Sequence, residues 1–412
     1  MVIDDRRSAT AGNRSAQRSS AGEWRASAGA IVAVLLLLAA GYALTILVFY
    51  PGYMTVDATY VYAASQDWRF GDWQSPAMSV AWWLIDPIAP GAVSMFLLIA
   101  TAYWFGFGLI ALTAVRRTAW LGLATPLVAL MPPAFVFVGM IWRDVLFAVV
   151  WLVAGALALA VADRSKLVRL PVQALALLLV AFGVLVRPNA VFAAPLIAGY
   201  VIWPMRFQLK RTAILFVPAA IAFYALIPYV YYEVLDAQRQ NPLHSLLVFD
   251  LGGITRFTGK NQFPVSWSAD ETALLIGKCY DPLRWDTYWH MEPCPFVMKR
   301  LEREDDRIFG TPRLVEAWWR AVTTHPLAYL RHRATFMWTF LAGSNLVLPH
   351  YDWQGPTAEY GSNPFFKPVL ELHHLLQPTV LFLQVFWLIL AVGVCAIAWP
   401  ARATPAGAFA VG

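Results

Sequence analysis

Charged side chains are scarce in this chain. Only 14% of its 412 residues are Asp, Glu, Lys or Arg, against 59% hydrophobic, and the mean hydropathy is +0.56. A soluble fold has too little interior to hide that much apolar surface, which excludes a string of soluble domains and leaves one integral-membrane unit with one modest extramembrane unit. Internal repeats are missing, and with them the paired, interrupted halves common in transporters. Low-complexity sequence is missing too, apart from the first 27 residues, an Arg-, Ser- and Ala-rich lead with too few apolar residues to fold, which reads as a disordered tail. That lead and the long apolar stretch behind it exceed an ordinary cleaved signal peptide, so together they read as a signal anchor.

What is present is a series of apolar runs. Stretches near 28–50, 92–115, 118–140, 145–162, 170–186, 190–204, 212–232 and 376–399 are read as spans against the ~20 residues needed to cross a ~30 Å hydrocarbon core, predicting an all-α integral membrane protein of about eight transmembrane helices. The runs at 170–186 and 190–204 are short and flank Arg187-Pro188-Asn189, a hairpin with a polar apex. The bundle at 28–232 contains a first exterior loop at 51–77, and the composition changes between 233 and 375, where all seven histidines lie, predicting a late exterior domain. A last span at 376–399 and a tail at 400–412 follow. Within the exterior domain, Asp270 to Leu275 and Pro312 to Thr323 read as helices, the second with Thr311-Pro312 as cap and first turn. His325 to Leu346 carries membrane-like Phe336, Trp338, Phe340 and Leu341 behind Arg331, His332 and Arg333, so it reads as an interfacial helix; a spanning helix, which would move the C-terminus outside, is the alternative.

The net charge of +6 is read by side before it is read as affinity. Arg6, Arg7, Arg14, Arg18 and Arg25 precede the first run, and in alternation Arg116 and Arg117, then Arg164, Lys166 and Arg169, then Arg206, Lys210 and Arg211 fall on the same side. Lys and Arg gather on the cytoplasmic side of short loops, so both termini are expected there. Topology thereby accounts for the basic residues, and nucleic acid is excluded as a partner. The opposite connections hold single arginines, Arg69, Arg143 and Arg187.

Three polar apices fall on that opposite, exterior side. In the first, Thr55 opens a short helix with Asp57 in its first turn, and Asp72-Trp73-Gln74-Ser75-Pro76 follows. An Asp there serves either chemistry or the helix dipole. The second is Trp142-Arg143-Asp144 behind the chain-reversing Met131-Pro132-Pro133, and the third is Arg187-Pro188-Asn189. Ionisable groups at membrane depth are costly and tend to be functional or paired; the bland readings are a local Arg143–Asp144 pair and a turn with a snorkelling Arg187. In the exterior domain, Phe249-Asp250-Leu251-Gly252-Gly253 with Arg256 and Lys260 reads as an acceptor- or phosphate-contacting loop or as a Gly-permitted surface turn. Cys279 and Cys294, close in sequence and in the oxidising compartment, read as a disulfide, with zinc bound by both thiols and His290 as the alternative.

In this order of elements the chain resembles the polytopic glycosyltransferases of the GT-C fold, the superfamily that includes protein O-mannosyltransferases and lipid A aminoarabinose transferases. The resemblance covers roughly the first 230 residues and rests on Asp57 in the first outer loop, Asp72 to Pro76 where many relatives carry a His-Pro-Pro-like sequence, Arg143-Asp144, Arg187 to Asn189, and the late exterior domain. It implies a GT-C-like bundle and inverting transfer of a sugar from a polyprenyl phosphate to a glycan, lipid or protein acceptor at the outer face, in envelope glycan or glycoconjugate synthesis. Asp57 is then the base, Asp144 a second acid that orients Arg143 or a metal, Arg143 and Arg187 the phosphate contacts, and Asp72, Gln74, Asn189, Arg256 and Lys260 further substrate contacts. Gln74-Ser75-Pro76 stands where His-Pro-Pro would, and no Asp-x-Asp element is present, so the resemblance leaves a divalent metal unassigned. A flippase or transporter of lipid-linked substrates and a non-catalytic envelope assembly protein are the competing classes.

Overall fold

The computed structural model describes residues 28–303, 307–343 and 363–411. The expected disordered lead and the end of the His325 to Leu346 segment lie outside the described residues.

The chain folds as an all-α, multi-pass membrane protein. Helix α1 (Ala28–Phe49) leads through β1 (Tyr53–Met54) into two short helices, α2 (Val56–Asp67) and α3 (Pro76–Ile85). Then come α4 (Ala92–Val115), α5 (Ala119–Ala129), α6 (Pro132–Val138), β2 (Met140–Ile141), α7 (Arg143–Val161), α8 (Lys166–Val186), α9 (Ala194–Ile202) and α10 (Leu209–Pro228). The polar insertion holds α11 (Leu243–Thr258), α12 (Ala269–Gly277), α13 (Phe296–Leu301), α14 (Pro312–Thr324) and α15 (Pro326–Trp338). The chain closes with α16 (Phe366–Leu376), α17 (Gln384–Ala398) and α18 (Pro405–Val411).

Among the described residues six helices are long and apolar enough to cross a membrane: α1, α4, α7, α8, α10 continued to Val234, and α17 continued to Ala401. The pair α5 and α6, bent by 58°, passes the same test only when taken together, as one broken span or a re-entrant loop. The bend falls at Met131-Pro132-Pro133, where proline lacks the N–H that would continue the ladder. The expected eighth span at 190–204 is not such a helix. Pro188 opens a 3-10 turn, Pro188–Phe192, and Pro195 sits in the first turn of α9, which has 9 residues and so rises only ~14 Å. It nevertheless returns the chain along the bundle, because Gln173 in the first half of α8 donates its side-chain amide to the carbonyls of Val201 (2.6 Å) and Ile202 (3.0 Å).

Several ties collect the turns at one end. Val34 of α1 packs with Ala111 and Val115 of α4, Arg117 pairs with Asp163 at 3.5 Å, and the Phe207 N–H donates to the Arg402 carbonyl at 3.0 Å. The start of α1, the basic turns after α4, α7 and α9, and Arg402 therefore share an end. Close approach inside the bundle relies on small residues, as expected where lipid supplies no hydrophobic drive between helices. A Cβ at Gly41 would fall 2.1 Å from the Trp104 ring, whose Nε1 donates to Thr45 Oγ1 at 2.8 Å.

The polar insertion has a core of its own, built on Val248, Leu251, Ile254, Tyr288, Val297, Leu301 and Leu314. Cys279 and Cys294 are bridged inside it, which removes both thiols from the zinc alternative. Closing a loop with a sequence separation of 15 is worth about 3 kcal/mol in the chain-entropy model. Thiol labelling of the unreduced, denatured protein should therefore modify Cys395 alone, and replacing both bridged cysteines with serine should lower the melting temperature; two additional reactive thiols would contradict the bridge. The run Phe249 to Gly253 is not a loop or a surface turn. It is the buried middle of α11, where Val248, Leu251 and Ile254 recur at helical spacing.

Candidate functional site

The site is built at the end of the bundle opposite Arg117 and Asp163. Strands β1 and β2 pair in parallel, Tyr53 opposite Met140 and Met54 opposite Ile141. This short ladder sets the start of α2 beside the start of α7. Thr55 then caps α2, accepting from the Ala58 N–H at 3.4 Å and from Trp142 Nε1 at 2.7 Å. Because Thr55 holds the cap, Asp57 is released from that duty. It lies exposed in the first helical turn.

The 68–76 segment is fixed from two sides. Ser75 caps α3, accepting from Met78 N at 3.1 Å, and its Oγ donates to the Leu185 carbonyl at 3.2 Å near the end of α8. Asp72 takes a donor on each oxygen, Tyr232 OH at 2.8 Å and Gln240 N at 2.6 Å, while its own N–H donates to Gln238 O at 3.1 Å. Asp72, expected to contact substrate, thus ties the first outer loop to the segment that follows α10 and lines neither cavity described below.

Gln74 Nε2 donates to Asp57 Oδ1 at 2.9 Å, and Gln74 Oε1 is buried without a partner among the described residues. Asp57 Oδ2 likewise has no hydrogen-bond partner among them. Arg143 and Asp144 do not pair locally. Arg143 Nη1 donates to the Trp73 carbonyl at 2.9 Å, and Asp144 Oδ1 pairs with Arg187 Nε at 2.9 Å. The Asp144–Arg187 pair is half open to solvent and adds at most ~1 kcal/mol of stability; its effect is to aim the Arg187 fork.

Two cavities meet at Asp57 and Gln74. The smaller, about 240 Å³, is lined by Asp57, Gln74, Trp142, Arg143, Asp144 and Arg187 together with Ala58, Val61, Met78 and Ile141. Residues from all three polar apices thus converge on one cavity. Asn189 is exposed just beyond it, and neither it nor Arg256 or Lys260 lines either cavity. Arg256 Nη1 instead donates to the Ile276 carbonyl at 2.7 Å, at the end of α12, and Lys260 is exposed after the left-handed Gly259 that stops α11.

The larger cavity, about 940 Å³, runs from Asp57 and Gln74 to the polar insertion, with Tyr60, Asp67, Arg69, Trp73, Trp285, Asp286, Trp289, His290 and Glu302 among its walls. Trp73 packs against Trp285 at 5.5 Å and Trp289 at 5.4 Å between ring centroids. Desolvation pushes the Asp286 carboxyl above the usual range against the pull of His290, with Asp57 adding to the rise; desolvation raises Glu302 in the same way. Sequence reasoning missed this wall. Its one signal is the cluster Trp285-Asp286-Thr287-Tyr288-Trp289-His290 inside a loop closed by two cysteines. Among the described residues no three His, Cys, Asp or Glu side chains group as metal ligands. Comparison of the chain with family models, with curated proteins and with solved structures returns no match.

Proposed function

We propose that this protein is a membrane glycosyltransferase of the GT-C type, transferring a sugar with inversion from a polyprenyl phosphate to an acceptor at the outer face of the membrane, in envelope glycan or glycoconjugate synthesis. One observation carries the reading: Asp57, Arg143 and Arg187, contributed by three separate elements, line one cavity. In that cavity a carboxylate oxygen without a hydrogen-bond partner among the described residues accompanies two permanently charged forks suited to phosphate.

The chemistry divides between them. An acceptor O–H (or N–H) gives its proton to Asp57 Oδ2 as the acceptor atom forms a bond to the anomeric carbon. The bond from that carbon to the phosphate oxygen breaks, and the lipid phosphate leaves with the electron pair. Arg143 and the Nη groups of Arg187 hold the phosphate before and after departure, and Asp144 keeps Arg187 aimed. Gln74 holds the Asp57 carboxylate in place through Oδ1.

Arg143→Ala or Arg187→Ala should weaken binding of polyprenyl phosphate to protein in nanodiscs by roughly 10–100-fold, the range for one lost charge-assisted contact, and should lower turnover as well. Unchanged phosphate binding in both variants would remove the donor assignment.

The same reading places the cavities on the exterior side and both termini in the cytoplasm. A reporter fused after Arg402 should be cytoplasmic and one inserted near Gly310 exterior. Arg402 sits against Phe207, beside basic Arg206, Lys210 and Arg211, which supports that orientation. An exterior reporter at Arg402 would reverse it.

A further inference from the structure

We propose that the larger cavity is an acceptor subsite for a saccharide without anionic groups, and that the loop bridged by Cys279 and Cys294 selects which saccharide fits. The inference rests on the transferase reading, which needs an acceptor to approach Asp57 from the side away from the arginines.

Size, surface and charge each point to such a ligand. At about 940 Å³ the cavity lies near the top of the ~300–1,000 Å³ range of small-molecule sites, roomy enough for more than a small acceptor alcohol. Its wall carries three half-buried indoles, Trp73, Trp285 and Trp289, packed on one another at 5.2–5.5 Å. An indole offers a flat, electron-rich face that complements the apolar C–H face of a pyranose. Hydroxyls on the ring edge need acceptors, and ionised carboxylates are acceptor-only groups with room for several donors each. Asp286 and Glu302 supply these from the wall, and the buried Gln74 Oε1, without a partner among the described residues, supplies another beside the base.

Charge separates the two cavities. Four carboxylates, Asp57, Asp67, Asp286 and Glu302, face the larger one against a single guanidinium, Arg69, with the imidazole of His290. A phosphate or uronate entering there meets like charge, whereas a neutral or amine-bearing sugar does not. The smaller cavity sets two arginines against two acids, Asp144 being paired with Arg187, and so lacks that excess of negative charge.

The selecting element is short. Trp285, Asp286, Trp289 and His290 all fall between the two bridged cysteines, and Trp73, adjacent to Gln74, wedges against the two indoles of the loop. The position of the indoles relative to Asp57 is therefore set by one cross-linked loop.

The test is binding of the full-length protein, in lipid nanodiscs, to an array of neutral, amine-bearing and uronate- or sulfate-bearing oligosaccharides. Neutral or amine-bearing members should be retained. Trp289→Ala should weaken that retention by roughly tenfold or more, as expected for loss of one aromatic platform, with Trp289→Phe restoring part of it. Glu302→Gln, outside the bridged loop, should weaken it too. Labelling of Cys395 alone checks that each variant keeps its bridge, and an unchanged melting temperature checks that it is folded. Preferential retention of acidic glycans, retention of none, or indifference to Trp289 and Glu302 would overturn the inference. Should glycans bind with this dependence while no sugar ever leaves polyprenyl phosphate, the saccharide site stands and the transferase reading falls. Should transfer proceed to a non-glycan acceptor at full rate in the Trp289 and Glu302 variants, the transferase reading stands and this inference falls.

Discussion

Asp57→Asn should lower sugar transfer by about 10²–10⁴-fold, the range typical of losing a general base, while the protein stays folded and still binds polyprenyl phosphate. Thr55, not Asp57, caps α2, so the substitution removes no cap. Asn keeps an oxygen that can accept from Gln74 Nε2, the one side-chain hydrogen bond that Asp57 makes among the described residues. What it removes is the negative charge and the oxygen that would take the acceptor proton. The phosphate contacts lie on Arg143 and Arg187, carried by other elements, so donor binding should survive. Near-normal transfer by this variant, together with loss of transfer in Asp144→Asn, would move the base to Asp144 and leave the family reading intact.

Asp250→Ala should destabilise the polar insertion by about 3–5 kcal/mol, the usual result of removing one partner from a buried ion pair. Asp250 is fully buried in α11, where its Oδ2 accepts from Trp318 Nε1 and from Arg333 Nη2, each at 2.8 Å, while His332 Nε2 lies 3.2 Å from Oδ1 without the geometry of a hydrogen bond. His332 is itself fully buried, and its Nδ1 faces Tyr280 OH at 3.0 Å, next to the bridged Cys279. Without the carboxylate those donors keep their burial and lose their acceptor. Thermal melting and limited proteolysis of the insertion read the effect directly. A variant as stable as the parent would show that the cluster is not what holds α11, α14 and α15 together.

The bundle was legible in the sequence because a membrane helix is written in composition: α1, α4, α7, α8, α10 and α17 are each long apolar stretches, and the basic turns gather at one end as alternation predicts. The polar apices were legible for a related reason, since a charge among apolar neighbours is conspicuous. Their partners were not. Arg143 and Asp144 are adjacent, which leaves a local pair open as the bland alternative, yet Asp144 reaches Arg187 across the bundle and Arg143 reaches the Trp73 carbonyl, pairings fixed by the ladder between β1 and β2 and by Ser75 on Leu185. Asp72 was hidden in the same way, its role decided by Tyr232 and Gln240 far along the chain. The span at 190–204 was overcounted because hydropathy does not register that Pro188 and Pro195 leave only a 3-10 turn and a short helix. Gly252 and Gly253 looked like a turn, but they lie within a helix where Tyr288 OH and the His332 ring press against its backbone: an added Cβ would fall 2.0 Å and 2.2 Å from them.

The central claim, that Asp57 and the two arginines act together on a lipid-linked sugar, is tested most directly by following the label. Protein in nanodiscs would be given a panel of polyprenyl phosphates carrying radiolabelled sugars, with envelope extract as the source of acceptors. The account predicts that label leaves at least one lipid for a new acceptor with the parent protein and stays on that lipid with Asp57→Asn. Label that stays on every lipid the parent protein binds, or that leaves at the same rate from the Asp57→Asn variant, would contradict it.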